Sequence, residues 1–393
     1  MSRATLLAAA TAAGCAAALI GAATGASAAT AGAATNAGPA RLPAHVHQIA
    51  GQPRSRHLLS PALATAVASV TRWTKTVNDG GSSFTFTMVG KDPTVVQSAP
   101  STTIKSELVP VIIKFSNGDT WDPTLGDSCD ATSALTRVQN SPIFKSKAYT
   151  FGTTAVGTGQ YADEFQRANY WTYASPTGIN PGYNVKLGLT TLAPITINVP
   201  NADAAAGSTA CGTGLLGAVE INWLDSYLQT TVIPSLQKTG LTVHMLPLFL
   251  LGNVVEYSGT TANCCILGYH SAFTVPTGTM TYGLSMYDNT GDFTGSSDVS
   301  ALSHEVAEWM DDPLVNNPTS PWGHIGQVSG CQNNLEVGDP LSGTTRAVTI
   351  GGHAFHVQEL AFTSWFYHQS PSTGVNGWYS NYGTFTSAAA ACA

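Results

Sequence analysis

The chain has 393 residues, 10% of them charged, with 16 Lys and Arg against 23 Asp and Glu, a formal net charge of -7 and seven cysteines. An acidic, charge-poor chain lacks the clustered cations that phosphate contacts need, which argues against a nucleic-acid partner. No G-x-S-x-G elbow, phosphate loop or dinucleotide fingerprint supports a serine hydrolase or nucleotide enzyme.

Residues 1–28 read as a secretory signal: Arg3 gives the positive start, Leu6 to Ile20 the Ala-rich apolar stretch, and Ala26-Ser27-Ala28 a small-residue cleavage site. The apolar stretch is too short and too rich in Ala and Gly for a membrane span, so an integral membrane protein is not expected. Cys15 follows Ala12-Ala13-Gly14, a faint lipoprotein-like pattern without its leucine. Residues 29–78 contain no acidic residue but carry Arg41, Arg54, Arg56, Arg72 and Lys75. This basic stretch ahead of an acidic body reads either as a pro-segment that docks electrostatically or as a wall-spanning linker. Residues 79–393 form the body, a metallohydrolase domain on the reading developed below.

Within the body, Phe84–Val89 and Leu108–Phe115 are expected strands, being β-branched and aromatic between short turns. Ala134–Val138 and Tyr161–Trp171 are expected helices, with Asp163, Glu164 and Arg167 as surface pairs at helical spacing. Ile195–Val199 is an expected strand and Val219–Lys238 a long helix bent or shortened at Pro234. Val243–Val255 reads as an apolar strand with a Gly-Asn turn, and Thr281–Tyr287 as a strand. Asp288-Asn289-Thr290-Gly291-Asp292 lacks the spacing of a calcium loop and reads as an ordinary turn.

Ser297–Pro313 is the organising element, one amphipathic helix with Ser297 or Asp298 as N-cap and Pro313 as its stop. At roughly 100° per residue, Val299, Leu302, Val306, Trp309 and Met310 share a core face. His304, Glu308 and Asp311 fall on the opposite face, flanked by Glu305 and Asp312. His304 and Glu308, one turn apart, can reach one ion. Zinc accepts imidazole nitrogen and carboxylate oxygen, while a carboxylate-rich set also suits manganese, iron or calcium. Glu305 stands where an HExxH helix carries its general base, here in the form HExxE. The acidic turn Leu335–Pro340 offers Asp339 or Glu336 as the third ligand. His270 and His356 are further candidates for substrate or supporting contacts, and Asp311 or Asp312 would brace the site or cap the turn after the helix. The ordinary alternative is a charged, solvated helix face. Against it, like charges this close repel unless a cation compensates them.

Ser303-His304-Glu305-Val306-Ala307-Glu308-Trp309-Met310-Asp311-Asp312-Pro313, followed by Leu335-Glu336-Val337-Gly338-Asp339, resembles a group of secreted bacterial proteins. These share an HE-x-x-E helix ending in Asp-Pro and a later Glu-x-Gly-Asp turn. It is similar, more distantly, to the Exordium or phosphate-induced proteins of plants, and to zincin metallopeptidases in the His304-Glu305 start alone. The resemblance runs from about Phe84 to the C-terminus. It implies a secreted, extracellular protein with a metallopeptidase site.

The element order suits an α+β fold, a zincin-like mixed sheet with an active-site helix, stabilised by disulfides. Cys129, Cys211, Cys264, Cys265, Cys331 and Cys392 remain once the signal is removed, an even set for an exported chain. Adjacent Cys264 and Cys265 are expected to take different partners, one of them Cys331. The aromatic C-terminal region, Phe355 to Phe385, reads as core or as a stacking platform for sugars or peptides. Two functions follow. One is a secreted zinc-dependent peptidase acting on a peptide or protein. The other is a non-enzymatic extracellular protein with a structural cation that binds cell-wall glycan.

Overall fold

A computed structural model describes residues 40–41, 68–211 and 214–392. The signal sequence, Cys15 and most of the basic stretch lie outside these residues. The body reaches back past Asp79: Arg72–Asp79 pairs antiparallel with Ser82–Val89, and the Ala68 carbonyl accepts from Thr279 N at 2.8 Å. The boundary drawn from charge therefore falls inside a hairpin, because Arg72 and Lys75 sit on a strand whose partner is neutral. Of the basic stretch, Ala40–Arg41 pairs in parallel with Ala204–Ser208 at the edge of a five-stranded sheet.

The fold is mixed α+β with a curled sheet. Seven strands build the central sheet. Its longest strand is Ser101–Phe115, STTIKSELVPVIIKF, a β-branched run buried along most of its length. Met245–Gly252 lies parallel to it, and Gly278–Tyr287 lies parallel to Met245–Gly252. Gly268–Val275 closes this edge as an antiparallel partner of Gly278–Tyr287. On the other side, Asn184–Thr191 and Ile195–Val199 pair with the two halves of the long strand.

The edge pair positions the site. Register sets Gly268, His270 and Ala272 opposite Ser285, Gly283 and Thr281. Side chains alternate across a strand, so these residues share one face. Tyr269, Phe273, Met280, Tyr282 and Leu284 line the other face and pack into one hydrophobic core. The small face lets a helix sit close: a Cβ on Gly268 would lie 3.1 Å from Glu305 Cγ.

That helix is Ser300–Asp311. Its apolar residues Val299, Leu302, Val306, Trp309 and Met310 join the second core, and Trp309 Nε1 donates to Thr281 Oγ1 at 2.9 Å. It ends as expected: Asp312 precedes Pro313 and has left helical geometry, φ -139° and ψ 65°. It starts later than expected, with Val299 at the cap position and no side-chain cap bond. The Asp298 carboxylate is turned instead to His356, accepting from its backbone N at 2.8 Å.

Other expectations need correction. Val219–Lys238 is a strand, Leu215–Glu220, then a helix begun at Ile221 and capped by Glu220, whose Oε2 accepts from Trp223 N. The helix passes through a π turn, Leu228–Val232, immediately before Pro234, which lacks an N–H and crowds the carbonyl four residues back. Val243–Val255 breaks at Asn253, φ 52°, so that Met245–Gly252 and Val254–Tyr257 enter different sheets. Tyr161–Asn169 is buried throughout, and Asp163, Glu164 and Arg167 are interior groups rather than surface pairs. The Asp288 turn is an ordinary one: Asp288 Oδ1 accepts from Thr290 N and Oγ1.

The cysteines pair as Cys129–Cys211, Cys264–Cys265 and Cys331–Cys392. The expected link from Cys264 or Cys265 to Cys331 is absent. The peptide between the two neighbours is cis, and their Cα atoms lie 3.0 Å apart. Cys331 is tied to Cys392 near the end of the chain. Phe355, Phe362, Trp365, Phe366, Tyr367 and Tyr379 are core residues, and Trp378, Tyr382 and Phe385 pack half-buried against them. This region therefore presents no open aromatic platform among the described residues. No helix among those residues is long and apolar enough to cross a membrane.

Candidate metal centre

The central helix carries its acidic face into the interior, not to solvent. His304 is 6% exposed, Glu305 7% and Glu308 2%, while Asp311 and Asp312 are fully buried. A solvated face would leave these groups wet, and that alternative fails. The strand Gly268–Val275 delivers His270, the turn after Asn334 delivers Glu336 and Asp339, and both arrive at this face. Two overlapping sets of ligand atoms lie within 4.8 Å of one another: His304, Glu308 and Asp339, and His270, Glu308 and Glu336.

His304 is aimed. Its Nδ1 lies 3.1 Å from Gln358 Oε1, and the Gln358 amide is oriented because its Nε2 donates to Gly338 O at 2.6 Å. The ring proton therefore belongs on Nδ1, and the neutral imidazole presents its Nε2 lone pair inward. That Nε2 is 2.9 Å from Glu308 Oε2, 3.5 Å from Asp339 Oδ1 and 4.0 Å from Glu305 Oε1. The backbone approach is tight: a Cβ on Gly338 would stand 2.4 Å from His304 Nδ1, so glycine is required there by contact with the ring.

The carboxylates are held as well. Glu308 Oε1 accepts from Gly338 N at 3.0 Å, leaving Oε2 toward the histidines. Asp339 accepts from Gln332 Nε2 at 2.9 Å and from Gln327 Nε2. Glu336 Oε1 accepts from Asn334 Nδ2 at 2.9 Å, while Oε2 has no donor. Glu305 Oε2 faces His270 Nδ1 at 3.2 Å.

Electrostatics follow from burial without a fixed cation. Among the described residues, the ion-pair partners of Glu305, Glu308 and Asp339 are histidines. Burial pulls the His304 pKa down, but Glu308, Asp339 and Glu305 outweigh it and hold the ring well above its ordinary value. Burial raises Glu308, yet His304, His270 and the Gly338 N–H prevail and keep it below the usual range. Asp339 is pushed up to about 6 by burial and by Glu308. Glu336 is driven well above its ordinary value by burial, then by Glu308, Asp339 and Asp312. Glu305 is raised by burial against the pull of His270 and His304.

The remaining sequence candidates act differently. Asp312 caps the turn after the helix, accepting from Asn316 N and Asn317 N, and its carbonyl receives His270 Nε2 at 3.2 Å. Asp311 accepts from Gln166 Nε2 and does not reach the histidines. His356 Nδ1 binds Asp298 Oδ2 at 2.6 Å and stays half-exposed at the start of the helix. Sequence reasoning passed over Gln358, two residues along the same strand face, because an amide carries no metal-ligand signature. It also missed Gln327, Gln332 and Gly338, and Glu256, a fully buried carboxylate near Glu305 with no donor on either oxygen. Comparison with protein-family models, curated proteins and solved structures returns no match.

Proposed function

We propose that the chain is a secreted metal-dependent hydrolase, a zinc metallopeptidase-like protein with a zincin-like arrangement of helix under sheet. The observation that carries this reading is the His304 Nε2 lone pair, fixed by Gln358 and set between Glu308 and Asp339. Metal–ligand bonds of about 2.1 Å at tetrahedral angles place neighbouring ligand atoms about 3.4 Å apart, close to the separations here. One imidazole and two carboxylates would hold zinc, and the same donors would take manganese, iron or calcium. When bound, such an ion supplies an activated water and polarises a scissile carbonyl.

The chain's own residues do the rest. Glu305 lies beside His304 with its pKa raised by burial, the direction a general base at neutral pH requires. It would take the proton of the attacking water and pass it to the leaving amine of a peptide substrate. Gln358, Gln332 and Gln327 hold the ligands in orientation.

A specific observation favours a second reading. Cavities of about 460 and 550 Å³ are lined around Trp121 and Asp127 and around Arg137 and His353, and none of His270, His304, Glu305, Glu308, Glu336 and Asp339 lines either. A buried ion outside both of these cavities would be structural, in a non-enzymatic extracellular protein that binds cell-wall glycan. Metal content by mass spectrometry, with His304→Ala and Glu305→Gln beside the wild type, separates the readings. The hydrolase reading expects zinc lost in His304→Ala, and zinc retained with peptide cleavage abolished in Glu305→Gln. Calcium without cleavage supports the structural reading, and no metal in any form sinks both.

A further inference from the structure

The set His304, Glu308 and Asp339 leaves two buried groups of the site, His270 and Glu336, without a role. Glu336 is fully buried and its Oε2 has no hydrogen-bond donor. A buried ionised carboxylate in that condition is costly, several times a lost hydrogen bond. The Glu308 carboxylate lies within 4.8 Å of it and has no proton to offer when ionised.

His270 stands on the same side. Its Nε2 faces the Asp312 carbonyl at 3.2 Å, and a carbonyl can only accept. The Nε2 position therefore carries a proton, and in the neutral ring Nδ1 is the bare nitrogen. Nδ1 lies 3.2 Å from Glu305 Oε2 and 3.7 Å from Glu308 Oε2, with a Glu336 oxygen within 4.8 Å of the group. A lone pair ringed by carboxylate oxygens is repelled by all of them. Protonating His270 would satisfy Glu305 but would still leave Glu336 Oε2 without a donor. A proton shared between Glu336 and Glu308 would serve one oxygen pair only, whereas a cation among the three serves His270 Nδ1, Glu308 Oε2 and Glu336 Oε2 together.

We infer that His270, Glu308 and Glu336 form a second divalent-cation site that shares Glu308 with the first. Glu308 Oε2 is the common atom, 2.9 Å from His304 Nε2 and 3.7 Å from His270 Nδ1. Its other oxygen is taken by Gly338 N, so one carboxylate oxygen stands between two imidazoles. Each ion would then have one histidine, one private carboxylate and the shared one. Glu305, Glu308, Glu336 and Asp339 would balance two divalent charges. Paired ions about 3.5–4 Å apart are the arrangement that clamps the attacking and leaving oxygens of a displacement. The inference rests on the hydrolase reading of His304, Glu308 and Asp339, and it moves Glu336 from an alternative third ligand of one ion to the private ligand of another.

The test uses the purified full chain, stripped with chelator and reloaded with Mn²⁺ alone or Zn²⁺ alone. Metal analysis is expected to find about two ions per chain, and the Mn²⁺ form to show an exchange-coupled electron paramagnetic resonance signal. Glu336→Gln is expected to retain about one ion and lose the coupling, because the first ligand set is intact. One ion per chain in both wild type and Glu336→Gln, or two ions without coupling, overturns the second site while leaving the first standing. No ion in the wild type overturns the first site and this one with it. If Glu336→Gln does not fold, the coupling in the wild type decides alone.

Discussion

Two buried helices of this molecule carry adjacent acids, and they are neutralised in different ways. On Tyr161–Asn169, Asp163 and Glu164 are accompanied by Arg167, whose Nε lies 3.5 Å from Glu164 Oε2. The same guanidinium donates to the carbonyls of Pro181, Tyr183, Val156 and Ala174, so its charge is fully built in. On Ser300–Asp311 the ion-pair partners of Glu305 and Glu308 are two histidines with other hydrogen bonds of their own, and no Arg or Lys is among them. The first helix brings its cation in the sequence. The second is arranged as though its cation comes from outside, which is why the physical argument for a ligand attaches to one helix and not to the other.

The largest expected effect breaks the first side of this contrast. Arg167→Met removes a buried partner and leaves Glu164 uncompensated, at a cost of about 3–5 kcal/mol. Thermal unfolding should register that loss equally with zinc present or with chelator. Wild type should instead lose about 2.7 kcal/mol when metal at a hundredfold excess over its dissociation constant is withdrawn. A chelator-insensitive wild type would erase the difference between the helices. Next, Gly338→Ala places a methyl against the His304 ring and should weaken metal affinity by roughly 10–100-fold, the scale of an orienting-contact loss. Titration calorimetry reads it, and unchanged affinity would show that the ring is free to move aside.

The smallest effect is electrostatic. Asp311 is raised to about 8 by burial, with Gln166 opposing. An acid whose folded pKa lies above its unfolded value binds more protons when folded, so stability falls as pH rises from about 4 to about 8. Asp311→Asn removes this dependence. It should gain on wild type by about 1 kcal/mol between neutral and alkaline pH, measured by urea unfolding. An equal slope in both proteins would place the proton elsewhere.

How much of this could be read from the sequence depends on range. The helix, expected over Ser297–Pro313 and found over Ser300–Asp311, was legible because apolar spacing, Pro313 and the His304–Glu308 i, i+4 pair are local. Strands Ile195–Val199 and Ser82–Val89 were legible for the same reason. The burial of Asp163, Glu164 and Arg167 was not, since charge argues for water unless the partners are known, and four of Arg167's partners are backbone carbonyls. His270 was named for substrate or supporting contacts, because only the register of Gly268–Val275 against Gly278–Tyr287 turns it toward Glu305. His356 was named and Gln358 was not, although both stand on one strand face and it is the amide that reaches the ring. The pairing of Cys264 with Cys265 escaped because it depends on a backbone conformer that composition does not signal.

The Cys331–Cys392 bond reaches further than its position at the end of the chain suggests. It closes a separation of 61 residues, and a loop of that length removes about 4 kcal/mol of unfolded-chain entropy. Cys331 also adjoins Gln332, which holds Asp339. Cys392 is thus stitched to the arm that presents Asp339, the proposed third ligand. Material produced in a reducing cytosol would be assembled without that stitch. The redox history of a preparation would then decide how firmly Asp339 is held for the proposed ion.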